Sequence, residues 1–185
     1  MKKRIFVAIN LPAEMKRQIE SLAERLRSVD SNIKCVNPES VHLTLAFLGA
    51  VDEEEIAKIT AISKLIAKNQ NGFILELRGV GFFPSPSTPQ VIWIGGEDNF
   101  HLINLQKNLV NQLRMSGFII ERRRFAPHLT IARIKNKIKN LDKVSDLVRD
   151  INLGKMPVSS IDIVESVLKK EGPEHKTIFK VNLKK

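Results

Sequence analysis

Two histidines stand 86 residues apart in nearly the same phrase, HLTLAFLG from His42 and HLTIARIK from His128. Two places after each comes a threonine, Thr44 and Thr130. On a strand, alternate side chains share a face. Val41, Leu43, Leu45 and Phe47 would then point into a core, with His42, Thr44 and Ala46 together on the other side. In the second copy Leu129 and Ile131 point in, while His128, Thr130 and Ala132 point out. If the two polar faces meet across one cleft, it holds two imidazoles and two hydroxyls. That set suits attack on a phosphodiester. One group must take a proton from the nucleophile and another must give one to the leaving oxygen. Imidazole titrates near neutrality and serves in either role. The hydroxyls can donate to the non-bridging oxygens, where charge builds in the transition state. Arg133, five places beyond His128, offers a guanidinium fork for phosphate. The near-symmetry leaves open which histidine gives and which takes.

Elements on either side must position these residues. Ile5 to Ile9 reads as a short apolar strand, and Pro12 opens a helix carrying Met15, Ile19, Leu22, Leu26 and Val29 on one face. The first motif strand runs from Val41 to Phe47 and ends at Gly49. Asp52 and Glu55 have capping-box spacing ahead of Ile56, Ile59, Ile62 and Ile66. A strand at Phe73 to Leu77 leads into a long loop marked by Gly79, Gly81, Pro84, Pro86 and Pro89. A strand at Val91 to Ile94 follows, then a helix capped by Asp98 or Asn99 and closed by Gly117. After the second motif strand come a weaker helix over Leu141 to Val148 and two strands, Ser160 to Leu168 and Thr177 to Leu183, around a turn at Gly172-Pro173. The 86-residue shift also lays Ile5 on Val91, Ile19 on Leu105, Ala23 on Leu109, Leu75 on Ile161 and Leu77 on Ile163. The repeat is too long for a solenoid. It predicts one α+β domain over residues 1–185: a bilobal duplicated fold whose two antiparallel-sheet lobes, with outer helices, surround a central cleft and are related by a pseudo-two-fold.

An apolar fraction of 43% supports a packed core and argues against general disorder. Thirty Lys and Arg against twenty Asp and Glu give a net charge of +10, which favours a polyanionic partner such as nucleic acid. One cysteine, Cys35, excludes an intramolecular disulfide and fits a reducing compartment. The apolar run at the N-terminus breaks at Asn10, too short for a signal peptide, and no stretch reaches the roughly 18 apolar residues of a membrane span. A cytoplasmic monomer is expected. Two histidines without a cysteine pair or His-Glu cluster are too few for zinc, so no metal and no cofactor is expected. His101, near a helix start, and His175, in a terminal turn, read as surface residues, and Cys35 as a small buried one.

The twin HLTL and HLTI phrases resemble the signature of the two-histidine (2H) phosphoesterases. Within them the chain is similar to the RNA 2′,3′-cyclic phosphodiesterases, also called 2′-5′ RNA ligases. RIFVAINLP, NPESVHLTLAFLG, GVGFFPSPSTPQVIWIG, RRRFAPHLTIAR and ESVLKKEGPEHKTIFKVNL extend the resemblance over essentially the whole chain. It implies hydrolysis of a 2′,3′-cyclic phosphate at an RNA end to a 2′-phosphate. It implies His42 as proton donor to the departing 3′ oxygen, His128 as the acceptor that activates water, and Thr44, Thr130 and Arg133 as phosphate holders. One departure is visible: relatives often carry tyrosine after the closing Gly-Pro-x, where this chain has His175 and no tyrosine anywhere.

Lys2-Lys3-Arg4, Arg122-Arg123-Arg124 and the stretch from Lys135 to Lys143 would guide an RNA backbone without reading its sequence. Phe47, Phe82, Phe83 and Phe125 are the rings available to stack on a terminal base. Two other functions compete with hydrolysis. A ligase would join cyclic-phosphate or 2′-phosphate ends to a 5′-hydroxyl with the same histidines. A non-catalytic RNA-binding module would use the charge alone, but charge does not call for a doubled His-x-Thr.

Overall fold

The computed structural model describes residues 1–96, 99–122, 124–136, 138–169 and 172–184. The chain opens with β1 (Lys3–Asn10) and α1 (Ala13–Val29), whose Met15, Ile19, Leu22, Ala23 and Leu26 are buried as the four-three spacing requires. Each leucine or isoleucine buried this way contributes about 1.5–3 kcal/mol. A short β2 (Ile33–Cys35) and a 3₁₀ turn at Pro38–Ser40 lead into β3 (His42–Val51). Then come α2 (Glu53–Lys68), β4 (Phe73–Phe83), β5 (Val91–Gly96), α3 (Phe100–Met115), β6 (His128–Ile134) and α4 (Leu141–Val148). Last are β7 (Asn152–Val158), β8 (Ser160–Lys169) and β9 (Gly172–Asn182). The capping box at Asp52 and Glu55 is formed, with Asp52 Oδ1 accepting from the Glu55 amide and Glu55 Oε2 from the Asp52 amide. Asn99 caps α3 through the Leu102 amide; Asp98 lies outside the described residues.

The strands form one antiparallel sheet in the order β7-β4-β5-β6-β3-β1-β8-β9, with β2 on β6. That order is palindromic under the 86-residue repeat. β5, β6 and β4 repeat β1, β3 and β8, so β4-β5-β6 mirrors β8-β1-β3 about the line between β6 and β3. The helices repeat in the same way, α3 after α1 and α4 after α2. The chain thereby builds two similar lobes whose motif strands are neighbours at the centre.

Several boundaries differ from the reading of the sequence. β4 does not stop at Leu77 but runs to Phe83, so Gly79 and Gly81 are strand residues. Gly79, at φ +72°, sits at a shift in the pairing with β5, and a Cβ on Gly81 would meet the Trp93 ring at 2.0 Å. Gly81 therefore makes room for an indole instead of turning the chain. β3 likewise continues past Gly49, where φ is +74°, to Val51. β9 begins at Gly172, five residues earlier than expected, because its hairpin with β8 zips up to the rung Lys169–Gly172. β2 and β7 were not foreseen; one is three residues long, and the other contains Gly154 and Pro157, which weaken any strand pattern.

Candidate active site

Leu43 and Leu129 are equivalent under the repeat, and they face each other as the antiparallel rung between β3 and β6. The pseudo-two-fold therefore passes through this rung. Both leucines are buried, at 1% and 0% exposure, so their neighbours His42, Thr44, His128 and Thr130 turn to the opposite face. One residue either side of an antiparallel rung lies opposite one residue either side of its partner. His42 thus falls toward Thr130, and Thr44 toward His128. All four line a single cleft of about 740 Å³, together with Arg133. The five residues singled out from the sequence are brought together.

The two imidazoles are held in the same way. His42 Nδ1 lies 2.7 Å from the Ser40 carbonyl, and His128 Nδ1 lies 2.8 Å from the Ala126 carbonyl, each two residues upstream. A carbonyl only accepts, so Nδ1 carries the hydrogen in both rings and Nε2 is left to exchange a proton. The 3₁₀ turn that presents Ser40 is itself fixed by Pro38 and by Asn37 Oδ1, which accepts from the Glu39 amide at 3.0 Å.

Arg133 reaches the cleft by a device that strict alternation does not foresee. Counted by twos from Leu129, it belongs on the core face. In the pairing of β6 with β5, however, Trp93 faces Thr130 and Ile92 faces Ala132, so Ile131 has no partner. This bulge turns the following residues over: Ala132 is fully buried and Arg133 is exposed toward the cleft. β3 does the same. Ala8 faces Thr44 and Val7 faces Ala46, so Leu45 is passed over, Ala46 is buried and Phe47 swings out to 49% exposure at the cleft. The expectation that Phe47 is core and that Ala46 and Ala132 lie on the polar face is corrected by these bulges. The backbone groups they release are met: Val36 N–H donates to the Ile131 carbonyl at 2.8 Å, and Gln106 Nε2 donates to the Leu45 carbonyl at 3.2 Å.

The surroundings of the two imidazoles differ. His42 stacks on Phe6 at 4.5 Å between centroids and meets His175 edge-on at 4.9 Å. His128 is flanked edge-on by Phe83 and Trp93. Burial pushes His42 down to about 4, with the positive charges of His175 and His128 acting in the same direction and the Ser40 carbonyl opposing them. In the free protein His42 is therefore neutral at pH 7.

His175 is not the surface turn residue that the sequence suggested. It lies on β9 opposite Ser166, half-buried in the cleft. A hairpin reading carried back to Gly172 would have paired it with Ser166 and placed it beside the motif strands. His101 is exposed near the start of α3, as expected. Cys35 is half-buried at the cleft wall, its thiol donating to the Ala23 carbonyl at 3.4 Å. Among the described residues the cationic lining is Arg4, Lys34, Arg133 and Lys169. Only Arg4 of these comes from the charge clusters marked in the sequence; Arg122, Arg124 and the described lysines between 135 and 143 lie elsewhere, and Arg123 and Lys137 are outside the described residues. No group of three or more His, Cys, Asp or Glu is placed to hold a metal among the described residues, and no described helix is long and apolar enough to cross a membrane.

A duplicated α+β sheet in which each half aims one imidazole and one hydroxyl into a shared cleft defines the two-histidine phosphoesterases as a class. The LigT-like phosphoesterase family model matches residues 9–93 and again 96–174, one match for each half. The chain belongs to that family. An RNA 2′,3′-cyclic phosphodiesterase of Methanothermobacter thermautotrophicus is 32% identical over 176 residues, spanning 94% of this chain and 95% of the relative. One of Aeropyrum pernix is 37% identical over 153 residues, 80% of this chain and 85% of the relative. Among solved structures, a Thermus thermophilus protein superposes with a TM-score of 0.85 at 29% identity, covering 97% of each chain. The LigT protein of E. coli complexed with 3′-AMP superposes at 0.82 and 25% identity, covering 100% of both.

Proposed function

We propose that the protein hydrolyses the 2′,3′-cyclic phosphodiester at RNA ends to a 2′-phosphomonoester. The observation that carries this reading is the matched pair of Nδ1–carbonyl anchors, which leaves two Nε2 atoms for one cleft. The names of the curated relatives support a cyclic phosphodiester as the substrate class, and the 3′-AMP complex of the E. coli protein supports a nucleotide ligand.

In this mechanism His128 accepts a proton from water as its oxygen bonds to phosphorus. The bond from phosphorus to the 3′ oxygen breaks, and that oxygen takes a proton from His42. The product keeps phosphate on the 2′ oxygen and regains a 3′-hydroxyl. Thr44, Thr130 and Arg133 hold the non-bridging oxygens as charge grows on them. His42, neutral in the free protein, gains its proton when the phosphodiester anion enters, because a nearby anion favours imidazolium. Phe47, with the Arg4 guanidinium 5.8 Å from its ring centroid, offers a platform for the terminal base. Both lobes contribute to the site, so residues 1–185 act as one bilobal domain, and a monomer carries the whole machinery.

The test is a short RNA with a 2′,3′-cyclic phosphate end, incubated with excess chelator and with a 5′-hydroxyl RNA present. The expected product is the 2′-phosphate, formed without added metal. A 3′-phosphate product, dependence on a metal, or joined strands as the main product would each overturn the reading. Binding without turnover over hours would leave an RNA-binding module in its place.

A further inference from the structure

The site is symmetric in its backbone and unequal in its side chains, and the inequality has an identifiable source. In the palindromic strand order β7 is the counterpart of β9, and β7 carries no histidine, so the lobe of His128 has no third imidazole. In the lobe of His42, the third ring shares its neighbour's anchor. His175 Nδ1 lies 3.2 Å from the same Ser40 carbonyl that accepts from His42 Nδ1 at 2.7 Å. The carbonyl has two lone pairs and serves both rings. Phe6, His42 and His175 all touch, with centroid separations of 4.5, 4.9 and 5.1 Å.

We propose that His175 is a positioning residue for His42, and that it makes the two halves of the site unequal. Resting on the phosphodiesterase reading, the proposal assigns His175 two effects. The first is orientation: through Ser40 it ties the β8–β9 hairpin to the turn before β3 and closes one side of the pocket around the His42 ring. The second is charge. Two imidazolium rings at this separation repel, so a proton on one disfavours a proton on the other. The geometry thus couples the protonation of His42 to a residue on the last strand, with no counterpart at His128.

Other charged groups surround the pair. Arg4, Lys34, Arg133 and Lys169 line the cleft as permanent cations, and His128 faces the pair from β6. Glu174, adjacent in sequence, pairs with Lys169. Asp162 on β8 contacts Asn10 at 2.5 Å, and Asn10 is the strand partner of His42. Glu39 beside Ser40 pairs with Lys16 at 2.7 Å. Each of these carboxylates lies near the pair, so each needs its own control.

The experiment compares the pH profile of kcat/KM for a cyclic mononucleotide in wild type, His175→Phe and His175→Asn. Phenylalanine keeps a ring but removes the donor and the charge; asparagine keeps a donor for the Ser40 carbonyl without a titrating group. The expected result is an acid limb moved up by about one pH unit in both variants. kcat is expected to fall about tenfold in His175→Phe, and less in His175→Asn, because the latter restores the anchor. Glu39→Gln, Glu174→Gln and Asp162→Asn should leave the acid limb where wild type has it. An unmoved limb in both His175 variants, or the same movement in a carboxylate control, overturns the proposal. Wild type that does not turn over the cyclic nucleotide overturns the functional reading instead, and the two failures are distinguishable.

Discussion

Leu45 and Ile131 are equivalent under the repeat, and each is skipped by the strand beside it, so that the chain beyond turns over and Phe47 and Arg133 face the cleft. Matched bulges at equivalent positions put a phenyl ring at one end of the site and a guanidinium at the other. A bulge re-aims the side chains that follow it by shifting the two-residue period by one. The position of Arg133 therefore depends on backbone pairing as much as on its own side chain.

Arg133→Ala should lower kcat/KM for the cyclic substrate by about 10- to 100-fold, the range expected for losing hydrogen bonds to a charged group. Arg133→Lys should recover only part, since an ammonium lacks the planar fork. The thermal midpoint should stay within a few degrees of wild type, because the guanidinium is exposed. Steady-state kinetics beside a melting curve separates the two effects.

Gln106 reaches from α3 to the Leu45 carbonyl that the bulge leaves without a strand partner. Gln106→Ala leaves that carbonyl unmet and should cost about 1–3 kcal/mol of stability. Urea unfolding gives the value directly, and an unchanged midpoint would show the carbonyl to be satisfied in another way.

Stability should fall on acidification through His42. Its folded value is about 4, below the ordinary imidazole value of about 6.5. Between these values the unfolded chain binds the extra proton and the folded chain does not, so unfolding is favoured as pH drops through the window. The stabilisation of the neutral form is fully present above about 6.5 and is lost by about 4, amounting to up to about 3 kcal/mol. Urea midpoints at pH 7 and pH 4.5 should differ more in wild type than in His42→Phe, which has nothing to protonate there.

Much of the fold was legible because the apolar periods were clean. The faces of α1, α2 and α3 and the span of α4 follow from spacing, and the shift that joins His42 to His128 also predicts two lobes related by a pseudo-two-fold. The His-x-Thr pairs were legible because alternation holds from His42 to Thr44 and from His128 to Thr130. It fails two residues later, at Ala46 and Ala132, where strand pairing sets the local geometry, and no side-chain pattern announces a bulge at Leu45 or Ile131. Gly79 and Gly81 misled for a related reason: they read as turn residues, but one sits at a pairing shift and the other admits the Trp93 ring. His175 was missed because Gly172-Pro173 drew the turn too far along the chain, whereas the hairpin closes before it and delivers the ring to His42.

The central claim is that His42 and His128 move protons at one phosphorus. Phosphorus NMR of a 2′,3′-cyclic-ended RNA, followed with wild type, His42→Ala and His128→Ala at pH 7, tests it most directly. Wild type should convert the cyclic signal to that of a 2′-phosphomonoester, and each variant should do so about 10²- to 10⁴-fold more slowly while remaining folded. Wild-type turnover in either folded variant would contradict the claim.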